Sequence, residues 1–400
     1  MLRSKNAVTM SVPASGYGNG IISTLGGLCG LAVVMGIGRF AYTALLPDMM
    51  ADWGFGEDIA GAIAAWNYAG YLAGVLAVRR AKPGLSRYLG FVLLSGVSLA
   101  TTAAMGLAST PLWWCALRFA GGFASGACFV LCSSIVLDTL AALRRPALAG
   151  VLYSGVGVGI ALGGAAAGLL PQAGGPEAIW LALAAFCLPL TLFAAVALHP
   201  GRNLAPEVRL AAEPGVTQGA DRPQRRYRIL LVSYFLEGFG YIIGATFLVS
   251  LIQTTTQSPE TARLAWVVTG CAAALSTPLW RYAAGKGYAR MLILAFVLQG
   301  LGALLPVLSD SMVAALSAGL LLGGTFMGIT VLSLQYGVTL SGRPSAQTVA
   351  TMTALYGVGQ IIGPLVAGSL ADGQGFSMAF ALAALSLFIA AALLLRLRKS

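Results

Sequence analysis

Three charges stand inside otherwise apolar sequence: Arg39 in GIGRFAYTALLPD (36–48), Arg118 in LRFAGGFASGA (117–127) and Glu237 in YFLEGFGYIIGATF (234–247). A guanidinium is always charged at physiological pH. A charge near a bilayer centre costs between ~3 and ~15 kcal/mol, so such groups normally face a bundle interior or a watery cavity. In a cavity wall, Arg39 and Arg118 would attract an anionic group, and Glu237, partly withdrawn from water, would take up a proton at one face and release it at the other. Tyr241 lies one turn beyond Glu237 on the same stripe and can donate a hydrogen bond. Asn67 and Tyr71, also one turn apart, share a face of their own helix; Gln253, Gln299, Gln335 and Gln360 are lesser candidates.

Each charge also has a plainer reading. Arg118 can hydrogen-bond backbone carbonyls, Arg39 can snorkel to headgroups or pair with Asp48, and Glu237 can pair with an arginine or a tyrosine to set helix packing. Residue types alone leave both readings open.

The elements that must position these residues are read from composition. The chain has 400 residues, 58% hydrophobic and 9% charged, against roughly 25% charged in a soluble domain, which excludes that class. Twelve apolar blocks, each long enough to cross ~30 Å of hydrocarbon as an α-helix, run approximately over 21–47, 58–78, 88–108, 112–137, 147–170, 177–198, 229–252, 262–282, 289–308, 312–337, 346–370 and 375–395. An outer-membrane barrel would show short alternating segments instead. The first block is too long for a removable signal core and is expected to stay. The six cysteines all lie within apolar blocks with no CxxC pair, and His199 is the only histidine; no metal or cofactor site is expected.

The net charge of +11 sorts by connection. Apart from Arg39, Arg118 and Arg263, every Lys and Arg lies at a terminus or in the connections 2–3, 4–5, 6–7, 8–9 and 10–11. The opposite connections hold Asp52, Glu57, Asp58, Glu177, Glu260, Asp310 and Asp372. By the positive-inside rule both termini are expected in the cytoplasm, in a chain of the bacterial inner membrane, with anionic lipids rather than nucleic acid as partner of the basic residues.

A shift of about 200 residues matches the chain to itself. Gly36 and Gly38 fall on Gly238 and Gly240, Ala65-Trp66 on Ala265-Trp266, and Gly121-Gly122 on Gly323-Gly324. Tyr153 to Gly157 resembles Tyr356 to Gly359. The expected organisation is a tail (1–20), a six-helix bundle (21–198), a cytoplasmic linker (199–228), a second six-helix bundle (229–395) and a short tail (396–400). The linker's basic run, Arg222, Arg225, Arg226 and Arg228, is expected only at the membrane surface.

These residues resemble the major facilitator superfamily over essentially the whole chain. The helix-4 stretch at 117–127 is similar to that superfamily's arginine-glycine motif. GVGVGIALGG (155–164) is similar to its glycine-rich antiporter motif, with Ile160 in place of proline. GVLAVR (74–79) keeps Gly74, Leu76, Ala77 and Arg79 of the loop 2–3 signature but has Val78 at the aspartate. The resemblance implies that the aspartate helps lock the cytoplasmic gate, so closure here is expected through Arg79 or Arg80 pairing with Asp138. The stretches around Arg39 and Glu237 further resemble the YbfB/YjiJ-like branch.

The resemblance implies an all-α fold of two pseudo-symmetric six-helix bundles. With Arg39 and Glu237 in the pathway, the expected function is secondary active, proton-coupled transport of a small organic solute, anionic or amphiphilic, and because one chain already forms a complete pathway, action as a monomer is expected. The alternative is a non-transporting sensor or partner-binding protein on the same scaffold, although such proteins usually append a soluble domain. An enzyme is not expected, because no nucleophile–base or metal constellation is present, and no Walker A sequence suggests direct use of ATP.

Overall fold

The computed structural model describes residues 14–78, 84–169, 174–201 and 221–398. Twelve long helices carry these residues. Helix α1 is a rod with α-helical Ala14–Leu31, a widened π-helical turn Ala32–Ile37 and α-helical Gly38–Trp53. It is followed by α2 (Glu57–Val78), α3 (Leu85–Met105), α4 (Pro111–Ala142), α5 (Ala149–Leu169) and α6 (Gly175–Ala197). The second set is α7 (Asp221–Thr256), α8 (Pro259–Ala283), α9 (Tyr288–Leu308), α10 (Met312–Ser341), α11 (Ser345–Ala371) and α12 (Ser377–Arg398). Among the described residues, eleven stretches are long and apolar enough to cross a membrane. Helix α8 packs against α5 and α10, so part of its surface meets protein rather than lipid.

The halves are built by similar packing. Helix α2 lies against α4 and α8 against α10. Gly122 of α4 backs onto the Asn67 carbonyl of α2, and Gly323 of α10 backs onto the Thr269 carbonyl of α8; a Cβ at either position would collide with that backbone. Small residues permit this approach, and dispersion and Cα–H···O contacts hold it where lipid supplies no hydrophobic drive between helices. Across the halves, α1 meets α7, α2 meets α11 and α5 meets α8.

Two helix starts differ from the sequence reading. Helix α7 reaches back to Asp221, so residues 221–228, expected in the linker, are helical. Arg226 is not confined to the membrane surface: its Nη2 donates to the Leu397 carbonyl at 3.0 Å and the Tyr336 hydroxyl at 3.3 Å, tying this turn to α12 and α10. A cation against the last carbonyls of a helix is favourable there. Helix α1 likewise begins at Ala14, inside the expected tail. The rest of the expected linker, 202–220, lies outside the described residues.

The packing at Gly122 generates a prediction. Overpacking a tight crossing costs about 1–3 kcal/mol, so Gly122→Ala should lower the thermal midpoint of purified protein by several degrees. Gly324→Ala, where nothing lies within 4 Å of an added Cβ, should leave it unchanged; fluorescence-detected size-exclusion after heating reads both.

Candidate functional site

A cavity of about 910 Å³ lies between the two sets of helices. Ala147, Ala149, Tyr282 and Val349 form one rim, near the chain segments that carry Arg144, Arg145, Lys286 and Arg343. Its inner wall holds Arg39, Phe40, Tyr71, Tyr153, Tyr234, Tyr241, Phe326, Gln335, Tyr356 and Gln360. The cavity therefore opens toward the basic end of the bundle.

At the acidic end the halves are joined. Thr43 of α1 donates to the Ala245 carbonyl of α7 at 2.6 Å, and the Tyr68 and Thr246 hydroxyls lie 3.0 Å apart. Arg263 of α8 contacts both carboxylate oxygens of Asp48, at 3.3 and 3.1 Å. Asp48 is thus the partner of Arg263, not of Arg39, and this pair was not visible in the sequence.

Arg39 follows the widened turn of α1, a feature often found at functional sites. Gly36 lies against Gly159 of α5 so closely that a Cβ would strike its backbone. Arg118 is buried and absent from the cavity lining. Its Nη1 donates to the Gly38 carbonyl at 2.9 Å and its Nη2 to the Arg39 carbonyl at 2.7 Å. Of its two sequence readings, the structure shows the carbonyl-binding one. Asn67 is buried outside the cavity as well and donates from Nδ2 to the Arg118 carbonyl at 2.8 Å. A chain of polar contacts thus runs from α2 through α4 to the backbone that carries Arg39.

The Arg39 guanidinium is 3% exposed. Tyr71, Tyr68 and Phe40 surround it, with ring centroids 4.2, 4.7 and 5.2 Å from its central carbon. Each such contact is worth roughly 0.5–2 kcal/mol, but a ring face satisfies no N–H in full. Nε and Nη2 have no hydrogen-bond partner. These two donors form one edge of the guanidinium, the edge that grips a carboxylate in a bidentate pair.

Opposite stands a row of stacked rings. Tyr234 stacks on Tyr356 at 4.7 Å, Tyr356 on Tyr241 at 6.0 Å and Tyr241 on Phe326 at 5.3 Å, all within 20° of parallel. Glu237 lies behind this row, fully buried, with neither oxygen hydrogen-bonded and absent from the cavity lining. Gln299 and Tyr356 are the polar side chains beside it. Arg39, Tyr71 and Tyr241 are therefore brought together, Glu237 sits one side chain away, and Asn67 and Arg118 support from outside. Tyr234, Tyr356 and Phe326 were missed as site residues; only Tyr356 had left a signal, in the internal repeat.

The expected gate residues Arg79 and Arg80 lie outside the described residues. Asp138 pairs with Arg87 at 2.9 Å, an exposed contact within the first half.

The joined acidic end generates a prediction. A partly exposed ion pair such as Asp48–Arg263 is worth up to ~1 kcal/mol, roughly a fivefold shift in an equilibrium. Arg263→Gln should accordingly raise, severalfold, the labelling of a Thr246→Cys thiol by a membrane-impermeant maleimide, because Thr246 is fully buried when the end is closed.

Comparison with known proteins agrees with this geometry. A protein of Pseudomonas putida named gallate transporter is 26% identical over 385 residues, covering 87% of this chain and 85% of its own length. Among solved structures, a mutant of the nucleoside transporter NupG superposes with a TM-score of 0.71 at 15% identity, over 94% of this chain and 99% of that one. A bacterial homolog of the human lysosomal transporter Spinster, inward-facing and unoccupied, superposes at 0.69 and 15% identity over 96% of both chains. The family model described as "Uncharacterised MFS-type transporter YbfB" matches residues 31–395. That match spans most of the chain, and this chain belongs to the YbfB family of major facilitator transporters.

Proposed function

We propose that this chain moves a small aromatic carboxylate across the bacterial inner membrane by alternating access, coupled to a proton carried by Glu237. The observation that carries the reading is the buried, unpartnered Nε/Nη2 edge of Arg39 at the wall of a cavity lined by six tyrosines. A fixed, desolvated cation repels cationic solutes and holds an anion through charge-assisted bonds. The edges of the stacked tyrosine and phenylalanine rings give a planar ring aromatic contacts, and the tyrosine hydroxyls can bind phenolic groups. The gallate transporter similar to this chain gives the class a first member to test.

The basic end is taken as cytoplasmic on the positive-inside rule, so the cavity faces inward and both termini lie in the cytoplasm. Release to the other side requires parting Asp48 from Arg263, Thr43 from Ala245 and Tyr68 from Thr246, while the basic end closes. One chain encloses the whole cavity, which fits action as a monomer. A buried carboxylate without a counter-charge costs several kcal/mol, and binding a proton removes that cost. Glu237 is placed to load and unload a proton as the halves move.

Purified protein in vesicles tests this. Gallate and benzoate should exchange with radiolabelled gallate, whereas an aliphatic cation should not compete. Arg39→Gln removes a hydrogen bond to a charged group worth about 1.5–3 kcal/mol, so apparent affinity should fall roughly 10- to 100-fold. Glu237→Gln should keep gallate counterflow and lose gallate-driven proton flux, read with an internal pH dye. Competition by the cation together with unchanged affinity in Arg39→Gln would overturn the anion reading.

A further inference from the structure

Glu237 is fully buried, while the cavity wall in front of it consists of tyrosines. A proton leaving Glu237 for cavity water needs an intermediate that both donates and accepts, and of the side chains beside the carboxyl only a hydroxyl serves. The geometry points to Tyr356 as the residue that relays the proton between Glu237 and the cavity. This assignment rests on the reading of Glu237 as the proton carrier.

Three observations single out Tyr356. It lines the cavity and is partly exposed there, yet it is the one tyrosine beside the Glu237 carboxyl on a different helix. Its ring is clamped between Tyr234 and Tyr241, so the hydroxyl has little freedom to swing away. Its helix is pinned to α7 at the same level: Gly238 backs onto the Tyr356 carbonyl, and Gly359 lies against the Phe235 carbonyl.

The other groups near the carboxyl are less suited. Gln299 of α9 is an amide buried away from the cavity, Thr330 of α10 lies beside Tyr234, and Ser386 of α12 donates to the Ala383 carbonyl. Tyr234 and Tyr241 belong to Glu237's own helix, and Arg39 reaches no nearer than the tyrosine row.

The step balances without an ionised phenol. As the O–H bond of the Glu237 carboxyl breaks, a new O–H bond forms at the Tyr356 oxygen, and the original phenolic proton passes to a cavity water. Glu237 is left as carboxylate, Tyr356 is again neutral, and one proton has reached the cavity; the reverse sequence reloads Glu237. A solute anion on Arg39 lies on the cavity side of the same tyrosine, which places binding and proton release next to each other.

Hydrogen–deuterium exchange of the Glu237 carboxyl tests the relay without a solute. Purified protein in lipid is switched from H₂O to D₂O under an infrared attenuated-reflection cell, and the protonated-carboxyl band is assigned by its loss in Glu237→Gln. A positioned proton-transfer group contributes about 100-fold or more, so Tyr356→Phe, which keeps the ring stack, should slow the band's downshift by about that factor. Tyr356→His, which returns a proton-passing group, should restore much of the rate, and Ser386→Ala, on a hydroxyl that does not line the cavity, should exchange at the parent rate. Parent-like exchange in Tyr356→Phe, or equal slowing in Ser386→Ala, overturns the relay and leaves Glu237 as carrier. Absence of the band from the parent across the pH range overturns the carrier reading itself.

Discussion

The site depends on two hydrogen bonds from one buried guanidinium to one stretch of backbone. Arg118 grips the carbonyls of Gly38 and Arg39 just where α1 leaves its widened turn. A carbonyl held by a charged donor is a stronger contact than a neutral pair, and inside a membrane bundle no bulk water competes for it. Asn67 then fixes the helix that carries Arg118, and Gly122 brings that helix within reach of α2. Helix geometry, small-residue packing and buried hydrogen bonding thus converge on the orientation of Arg39. Arg39 and Arg118 divide the labour of two buried charges, one spent on structure and the other set beside the cavity with one N–H edge unpartnered.

The second half supplies the opposite wall. Its acid is hidden where the first half's base is presented, and a row of stacked rings separates the two. This separation has a physical consequence. Direct contact between Arg39 and Glu237 would neutralise both and leave neither free for solute or proton, whereas tyrosines between them keep the charges apart while offering hydroxyls that connect them. The ion pair at the acidic end is of another kind: Asp48 and Arg263 are part exposed, so their contact is weak enough to be made and broken as the halves move.

Much of this was legible in the sequence. The helices follow from block length and apolar composition, and the two-fold build from the 200-residue repeat. Arg39, Tyr71 and Tyr241 were found because a polar group in an apolar run must face something polar. What stayed hidden depends on the distance between segments. Asp48 and Arg263 are 215 positions apart, and nothing local to either marks the other. Whether Arg118 faces solute or backbone is decided by the approach of α1 to α4, which no residue type encodes. The widened turn at 32–37 has only ordinary helix-compatible residues, with Gly36 the one hint of close packing. Tyr234 and Phe326 look like any aromatic in a membrane helix until the rings are seen in a row.

The most direct test of the central claim is a structure of the protein determined with gallate bound. The account predicts the carboxylate against Nε and Nη2 of Arg39, with the ring against the edges of the Tyr241–Tyr356 stack. A ligand seated elsewhere in the cavity, with that edge of Arg39 still unengaged, would contradict it.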